Sequence, residues 1–200
     1  MKLVFGLGNP EKKYEGTRHN IGFDTLALLA QQWDASKPKA NFESMASEAT
    51  IAGERVLLLW PQTYMNRSGR AVRLASDYYK TPIEDLLVVC DDFNLPVGRL
   101  RMRAKGSSGG QNGLKDIANQ LQDEGYARLR IGVGPVPASK DPANFVLGRF
   151  SQKERELVDV TLHDAAAAVE CWAQHGATEA MNKFNGVGGE SPSADDKKPE

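Results

Sequence analysis

Two hundred residues, 40% hydrophobic and 26% charged, suffice for one filled core and are too apolar for a disordered chain. Lys+Arg 25 against Asp+Glu 26 leaves a net charge of −1, so bulk basicity gives no argument for a nucleic-acid partner. Any affinity for a polyanion has to come from cations gathered locally.

Cys90 and Cys171 are too few for a disulfide framework and form no C-x-x-C ligand pair. The opening Met1-Lys2-Leu3-Val4-Phe5 turns to glycine with no secretory h-region, and the longest apolar stretch, residues 56–60, is far below a membrane span. These features predict a soluble, cytoplasmic chain with no membrane partner.

Residues 3–5 read as a strand ending in the turn Gly6-Leu7-Gly8-Asn9-Pro10. Between 20 and 33, Ile21, Leu26, Leu28, Leu29 and Trp33 approximate a helical face. Residues 49–52 and 55–60 read as a hairpin turning on Gly53-Glu54. Residues 68–79 are helical in pattern, with Asn66 or Ser68 as candidate N-cap, and Thr81-Pro82-Ile83-Glu84 has the form of a capping box. Leu86-Leu87-Val88-Val89 is the continuous apolar run of a strand buried on both faces.

A strand over 99–105, a helix over 113–121 and a strand over 129–133 follow, and Ser151-x-x-Glu154 caps a long helix through Ala165 to Ala168. From residue 186 the chain is almost wholly Gly, Ser, Pro, Asp, Lys and Glu, which predicts a disordered polar tail over 186–200. The alternation over residues 1–185 predicts one α/β domain with a central, mostly parallel or mixed twisted sheet flanked by helices. Its ligand crevice should lie beyond the carboxyl ends of the strands.

Polar chemistry concentrates in four loops. The first carries Asn9, Tyr14, Arg18, His19 and Asn20; a helix start disfavours imidazolium and would keep His19 neutral, able to take a proton. The second is Gln62-Thr63-Tyr64-Met65-Asn66-Arg67-Ser68-Gly69. The third, Cys90-Asp91-Asp92-Phe93-Asn94-Leu95-Pro96, follows the buried strand; with no further carboxylates to complete a metal site, a role in orienting a histidine is preferred to one as metal ligand, with a pair of solvated turn residues as an equal alternative. The fourth, Gly106 to Gly113, is no Walker loop, because Gly113 is followed by Leu114-Lys115. Its Gly106-x-Ser108-x-Gly110 fits a nucleophile elbow, with His163 and His175 downstream, but the strand before it is charged rather than buried. On that strand Arg99, Arg101, Arg103 and Lys105 alternate with Leu100, Met102 and Ala104, so four cations share one face and point to an anionic partner. Arg67, Arg70 and Arg73 form a second basic stripe, and Arg128 and Arg130 a candidate third.

Together these loops resemble the bacterial-type peptidyl-tRNA hydrolases. The resemblance is carried by Gly6 to Pro10 with Tyr14, by Thr17-Arg18-His19-Asn20-x-Gly22, by Gln62 to Gly69 and by Asp91 to Pro96. It continues through Gly109-Gly110-Gln111-Asn112-Gly113-Leu114, Arg128-Leu129-Arg130-Ile131-Gly132 and Phe145-Val146-Leu147-Gly148. It implies an enzyme that hydrolyses the ester between a peptide and the 3′ ribose of tRNA, as a monomer, with neither metal nor cofactor and no DNA partner. By the same resemblance His19 is the general base, Asp91 orients it, and Asn9 tells an N-blocked peptidyl group from a free aminoacyl group. Tyr14, Tyr64, Asn66 and Asn112 match substrate-binding positions. Arg99, Arg101, Arg103, Lys105 and Arg130 would then hold acceptor-stem phosphates.

Cys90, Asn94 and Gln111 depart from the residues most common in that family, with His usual in place of Cys90 and of Gln111 and Asp in place of Asn94. They keep open a non-catalytic RNA-binding relative, and more weakly a serine esterase using Ser108.

Overall fold

The structure, a computed structural model, describes residues 1–51 and 53–186; the predicted tail therefore lies, apart from Gly186, outside the described residues. The strands are β1 (Lys2–Gly6), β2 (Lys39–Asn41), β3 (Ser44–Ile51), β4 (Glu54–Pro61), β5 (Leu86–Pro96), β6 (Leu100–Arg103) and β7 (Ala127–Gly134). They form one mixed sheet in the order β2-β3-β4-β1-β5-β7-β6. The central β4, β1, β5 and β7 are mutually parallel, while β2, β3 and β6 add antiparallel edges.

Helices α1 (Ile21–Gln32), α2 (Ser68–Tyr79), α3 (Asn112–Leu121), α4 (Pro142–Val146) and α5 (Gln152–Phe184) complete the fold. The period-2 alternation of the central strands decides which helix covers which face. Val4, Leu87, Val89, Leu129 and Ile131 pack with α1 and α5 through Leu26, Leu29, Val169 and Trp172. Leu3, Phe5, Val88 and Cys90 pack with α2 and α3 through Val72, Leu114 and Ile117. Leu86 to Val89, at most 1% exposed, are buried on both faces as the continuous apolar run predicts. Each such side chain removed from water contributes about 1.5–3 kcal/mol.

Gly22 lets α1 start directly on the sheet, since a Cβ there would lie 2.5 Å from Leu7 N and Val89 O. At the start of α5 the capping box forms: Ser151 N donates to Glu154 Oε2 at 2.7 Å and Glu154 N to Ser151 Oγ at 3.4 Å. The helix breaks its geometry at Gly176, whose φ of 81° only glycine adopts readily. Just beyond it, Asn185 meets the outer edge of β6: Met102 N donates to Asn185 Oδ1 at 2.7 Å and Asn185 Nδ2 to Met102 O at 3.2 Å.

Two cap assignments are corrected. After Thr81-Pro82 there is only a 3-10 turn, Ile83–Asp85, and Thr81 Oγ1 is buried with no partner among the described residues. The following Leu86 run belongs to the sheet core, and its burial pulls the chain into β5 before a second helical turn can form. Neither Asn66 nor Ser68 caps α2. A 3-10 turn, Met65–Arg67, leads into it, and the Ser68 hydroxyl donates to Met65 O at 2.9 Å.

Candidate active site

The loops after β1, β4 and β7, together with the end of β5 and the start of α3, meet at one end of the sheet, where a switch-point crevice belongs. His19 sits in the 3-10 turn Arg18–Asn20 that leads into α1. Its Nδ1 lies 2.8 Å from Asp91 Oδ2, with the carboxylate only 2% exposed. Asp91 is acceptor-only when ionised, so Nδ1 carries the proton and Nε2 is left as the basic nitrogen. Burial disfavours the charged ring, but the charge of Asp91 and its hydrogen bond outweigh it and raise the pKa of His19 above its ordinary value. The carboxylate therefore adds to the helix start in setting the basicity of the ring, and acts in the opposite direction.

Asn9 is buried and fixed on three sides. Its Oδ1 accepts from Met65 N at 2.9 Å, its N donates to Asn20 Oδ1 at 2.9 Å, and its carbonyl accepts from Asn20 Nδ2 at 3.0 Å. Its own Nδ2 makes no hydrogen bond among the described residues. Asn9 and Asn112 are the common wall of two clefts. One, of about 410 Å³, is lined also by His19, Asp91, Phe93 and Leu147. The other, of about 480 Å³, holds Tyr64, Asn66 and Arg67. The structure therefore brings His19, Asp91, Asn9, Asn66, Asn112 and Tyr64 together. Tyr64 is half exposed and donates to Glu11 Oε1 at 2.5 Å, whereas Tyr14 lines neither cleft and packs its ring under the Lys13 ammonium at 4.9 Å.

Three supporting residues escaped the sequence reading. Gln111 bonds Asp91 from the start of α3. Asn20 braces Asn9. Arg18, beside His19, is 7% exposed and lies between the Phe145 and Phe150 rings, 4.4 and 5.0 Å from their centroids. Its Nη2 bonds both Glu154 oxygens at 3.0 and 2.9 Å, its Nη1 bonds Arg149 O, and its N donates to Gly148 O. Arg18 thus anchors the turn that carries His19 to the α5 capping box. The quoted Thr17-Arg18-His19-Asn20 motif held that signal, masked by the histidine in it.

The basic strand keeps its predicted alternation over a shorter length, Leu100–Arg103: Leu100 and Met102 are buried while Arg101 and Arg103 are exposed, and Arg99 and Lys105 flank the strand rather than belong to it. Because β6 is antiparallel to β7, its end lies beside the start of β7, with Arg103 opposite Arg128 and Arg101 opposite Arg130. The glycine-rich segment after it must climb back across the sheet face to reach α3. Arg128, 1% exposed and stacked on Tyr126 at 4.2 Å, donates to the carbonyls of Gly106, Ser107, Glu124 and Tyr126. Arg130, 6% exposed, donates to Asp92 Oδ2 at 3.2 Å and to the carbonyls of Ser107 and Ser108 at 3.0 and 2.8 Å. Both arginines hold the segment that delivers Gln111 and Asn112.

Arg101, Arg103, Lys105 and Asn94 line a groove of about 290 Å³ whose floor is Arg128 and Arg130. Arg101, Arg103 and Lys105 pair with no carboxylate among the described residues, and Arg99 bonds Gly186 O at 2.9 Å. In the second stripe Arg70 pairs with Glu43 and Arg73 with Asp77. Cys90 is wholly buried in the α2–α3 core, where desolvation pushes its thiol far above the ordinary range, so this departure faces away from the clefts.

No elbow exists at Ser108. The strand before it is an edge strand, its carbonyl serves Arg130, and His163 lies on α5 bonded to Gln32 at 3.2 Å.

An imidazole with a free basic nitrogen, a carboxylate behind it and amide side chains across a cleft can deprotonate water and stabilise an attacked carbonyl; the class this fits is a hydrolase. Residues 3–194 match the family model described as peptidyl-tRNA hydrolase. The chain belongs to that family, carboxylic ester hydrolases that act on peptidyl-tRNA and return tRNA to translation.

It is 49% identical to the peptidyl-tRNA hydrolase of Rhodopirellula baltica over 189 residues, 94% of this chain and 100% of the relative. With that of Chlorobium phaeobacteroides it shares 48% over 187 residues, 92% and 98% of the two chains. Among solved structures, peptidyl-tRNA hydrolase from Acinetobacter baumannii superposes with a TM-score of 0.88 at 34% identity, covering 94% of this chain and 96% of the other. These whole-length matches disfavour the non-catalytic RNA-binding reading. Among the described residues no helix is long and apolar enough to cross a membrane.

Proposed function

We propose that His19 is the general base of peptidyl-tRNA hydrolysis in this chain and that Asp91 holds and polarises it. The observation that carries the reading is the 2.8 Å bond from His19 Nδ1 to Asp91 at the floor of the cleft walled by Asn9 and Asn112. A water at Nε2 gives its proton to the ring as its oxygen bonds the ester carbonyl carbon. The ring then returns the proton to the ribose 3′ oxygen as the C–O bond breaks, leaving free tRNA and a peptide carboxylic acid, which gives its proton to solvent to become the carboxylate.

Asn9, held by Met65 and Asn20, offers its Nδ2 to the peptide backbone, with Asn66, Asn112 and Tyr64 along the neighbouring cleft for the 3′ end; Tyr14 acts at its margin. A fixed amide donor of this kind also serves the developing oxyanion. The face of Arg99, Arg101, Arg103 and Lys105 holds acceptor-stem phosphates, which position the substrate without reading its sequence. Arg130 contributes to that groove from its floor, through the loop it holds. The chain works as a cytoplasmic monomer.

The test is His19→Ala assayed on N-acetyl-aminoacyl-tRNA. Peptide release is expected to fall by about 10²–10⁴-fold with the circular dichroism spectrum unchanged; turnover near that of the wild type refutes the assignment.

A further inference from the structure

Asp91 offers two carboxylate oxygens, and only Oδ2 faces His19. At 2% exposure, the other has little access to bulk solvent. That oxygen accepts from Gln111 Nε2 at 3.0 Å, a side chain itself 6% exposed. The same carboxamide accepts at Oε1 from Leu114 N at 2.9 Å, capping α3, and its Nε2 lies 3.2 Å from Met65 Sδ. The amide can face only one way. Flipped, it would set its NH2 against the Leu114 N–H and its oxygen against a carboxylate oxygen, two like-polar contacts between buried groups. Gly113 makes the arrangement possible: a Cβ there would lie 2.7 Å from Met65 Sδ and 3.0 Å from Gln111 Oε1.

From this geometry we infer that Gln111 is a positioning residue for the catalytic pair: it fixes the Asp91 carboxylate against His19 and ties it to the helix start bearing Asn112 and the turn bearing Asn66. The inference rests on the reading of His19 and Asp91 given above. A carboxylate held at one oxygen can turn about its Cβ–Cγ bond, whereas one held at both cannot. A carboxamide also neither gains nor loses a proton over the working range, so the tether is the same at every pH. The acid limb of kcat then reports one ionisation, that of His19.

Two variants test this, with kcat and KM on peptidyl-tRNA measured from pH 5 to 9. The His19 ring is followed by NMR without substrate, its signal assigned by loss in His19→Ala. Gln111→Met keeps the bulk and removes the donor. The expected result is a kcat lowered about 10- to 100-fold, a KM within about threefold, and a His19 titration moved by about half a unit or more. If Gln111 only caps α3, the loss falls on KM and thermal stability while kcat and the titration stay put, and that result overturns the inference.

Gln111→His keeps a donor to Asp91 but adds a titrating group. Its kcat at pH 8 is expected within about fivefold of wild type, with an acid limb steepened from one proton to two. An unchanged one-proton limb overturns the inference even where Gln111→Met fails to fold. His19→Ala decides the base assignment separately, because the NMR titration reads the tether whether or not His19 is the base.

Discussion

Replacing Asp91 by Asn changes almost no volume but puts an NH2 group where a carboxylate oxygen faces His19 Nδ1 at 2.8 Å. With a donor opposite it, Nδ1 becomes the acceptor and the ring proton moves to Nε2, the nitrogen proposed to take a proton from water. The same Asp-to-Asn logic in a serine protease triad costs about 10⁴-fold through the wrong tautomer. Here the expected loss in kcat is about 10³–10⁴-fold, about 4–5.5 kcal/mol of barrier at 1.36 kcal/mol per tenfold.

The ionisation shifts as well. Of the influences on His19, burial remains and the two contributions of Asp91 vanish, so its pKa falls from above the ordinary value to below it. The acid limb of the residual activity therefore moves to lower pH. Stability follows the same group. A histidine whose folded pKa is raised stabilises the fold fully below its unfolded value, near 6.5, and loses that contribution as pH rises through the folded value. Asp91→Asn should accordingly destabilise the chain more at pH 5.5 than at pH 8.5, measured by urea melts at both. A kcat within tenfold of wild type, or an acid limb that moves upward, refutes the reasoning.

Arg128→Met takes their donor from the carbonyls of Gly106 and Tyr126 and one of two donors from those of Ser107 and Glu124, which keep Arg130 Nη2 and Gly106 N, and chemical denaturation should show a loss of about 2 kcal/mol or more. Below 1 kcal/mol, those bonds are not holding the loop. The double variant Arg101→Glu with Arg103→Glu should raise KM for peptidyl-tRNA far more than for a short nucleotide ester and flatten its salt dependence; an equal effect on both substrates removes the groove from substrate binding. Gly113→Ala drives a methyl group into Met65 and Leu7 at 2.7 Å, so stability should drop by about 1–3 kcal/mol and kcat with it; a neutral result means the site yields at no cost.

What the sequence revealed about this molecule follows from how local each signal is. The two-face burial of Leu86 to Val89, the Ser151–Glu154 box and the cation alternation through Arg101 and Arg103 are each set by a few neighbours, and each reappears in the structure. The Thr81–Glu84 box had the same local form and failed because the next four residues belong to the core. Strand β2 is exposed throughout and takes its shape from pairing with β3, and α4 is a single five-residue turn, so neither carries a period to read. The arginines of β7 are the hardest case. Arg128 and Arg130 alternate as surface cations would, yet lie buried because the glycine-rich segment crosses over them, a contact 21 to 23 residues apart in sequence that no window contains. Gln111 likewise reads as a polar loop residue until the fold sets it against Asp91.

The side chain of Asn185 beside β6 carries a different consequence. Its carboxamide offers one acceptor and one donor to the N–H and C=O of Met102, the pair that another strand would have offered. One residue thus occupies the backbone pair of Met102 on the edge strand β6, where an unpaired backbone would template addition of a foreign strand. At this edge of the sheet a side-chain amide from the end of the last helix stands in for a neighbouring strand, and Asn185→Ala is the substitution that would free those two backbone groups of Met102.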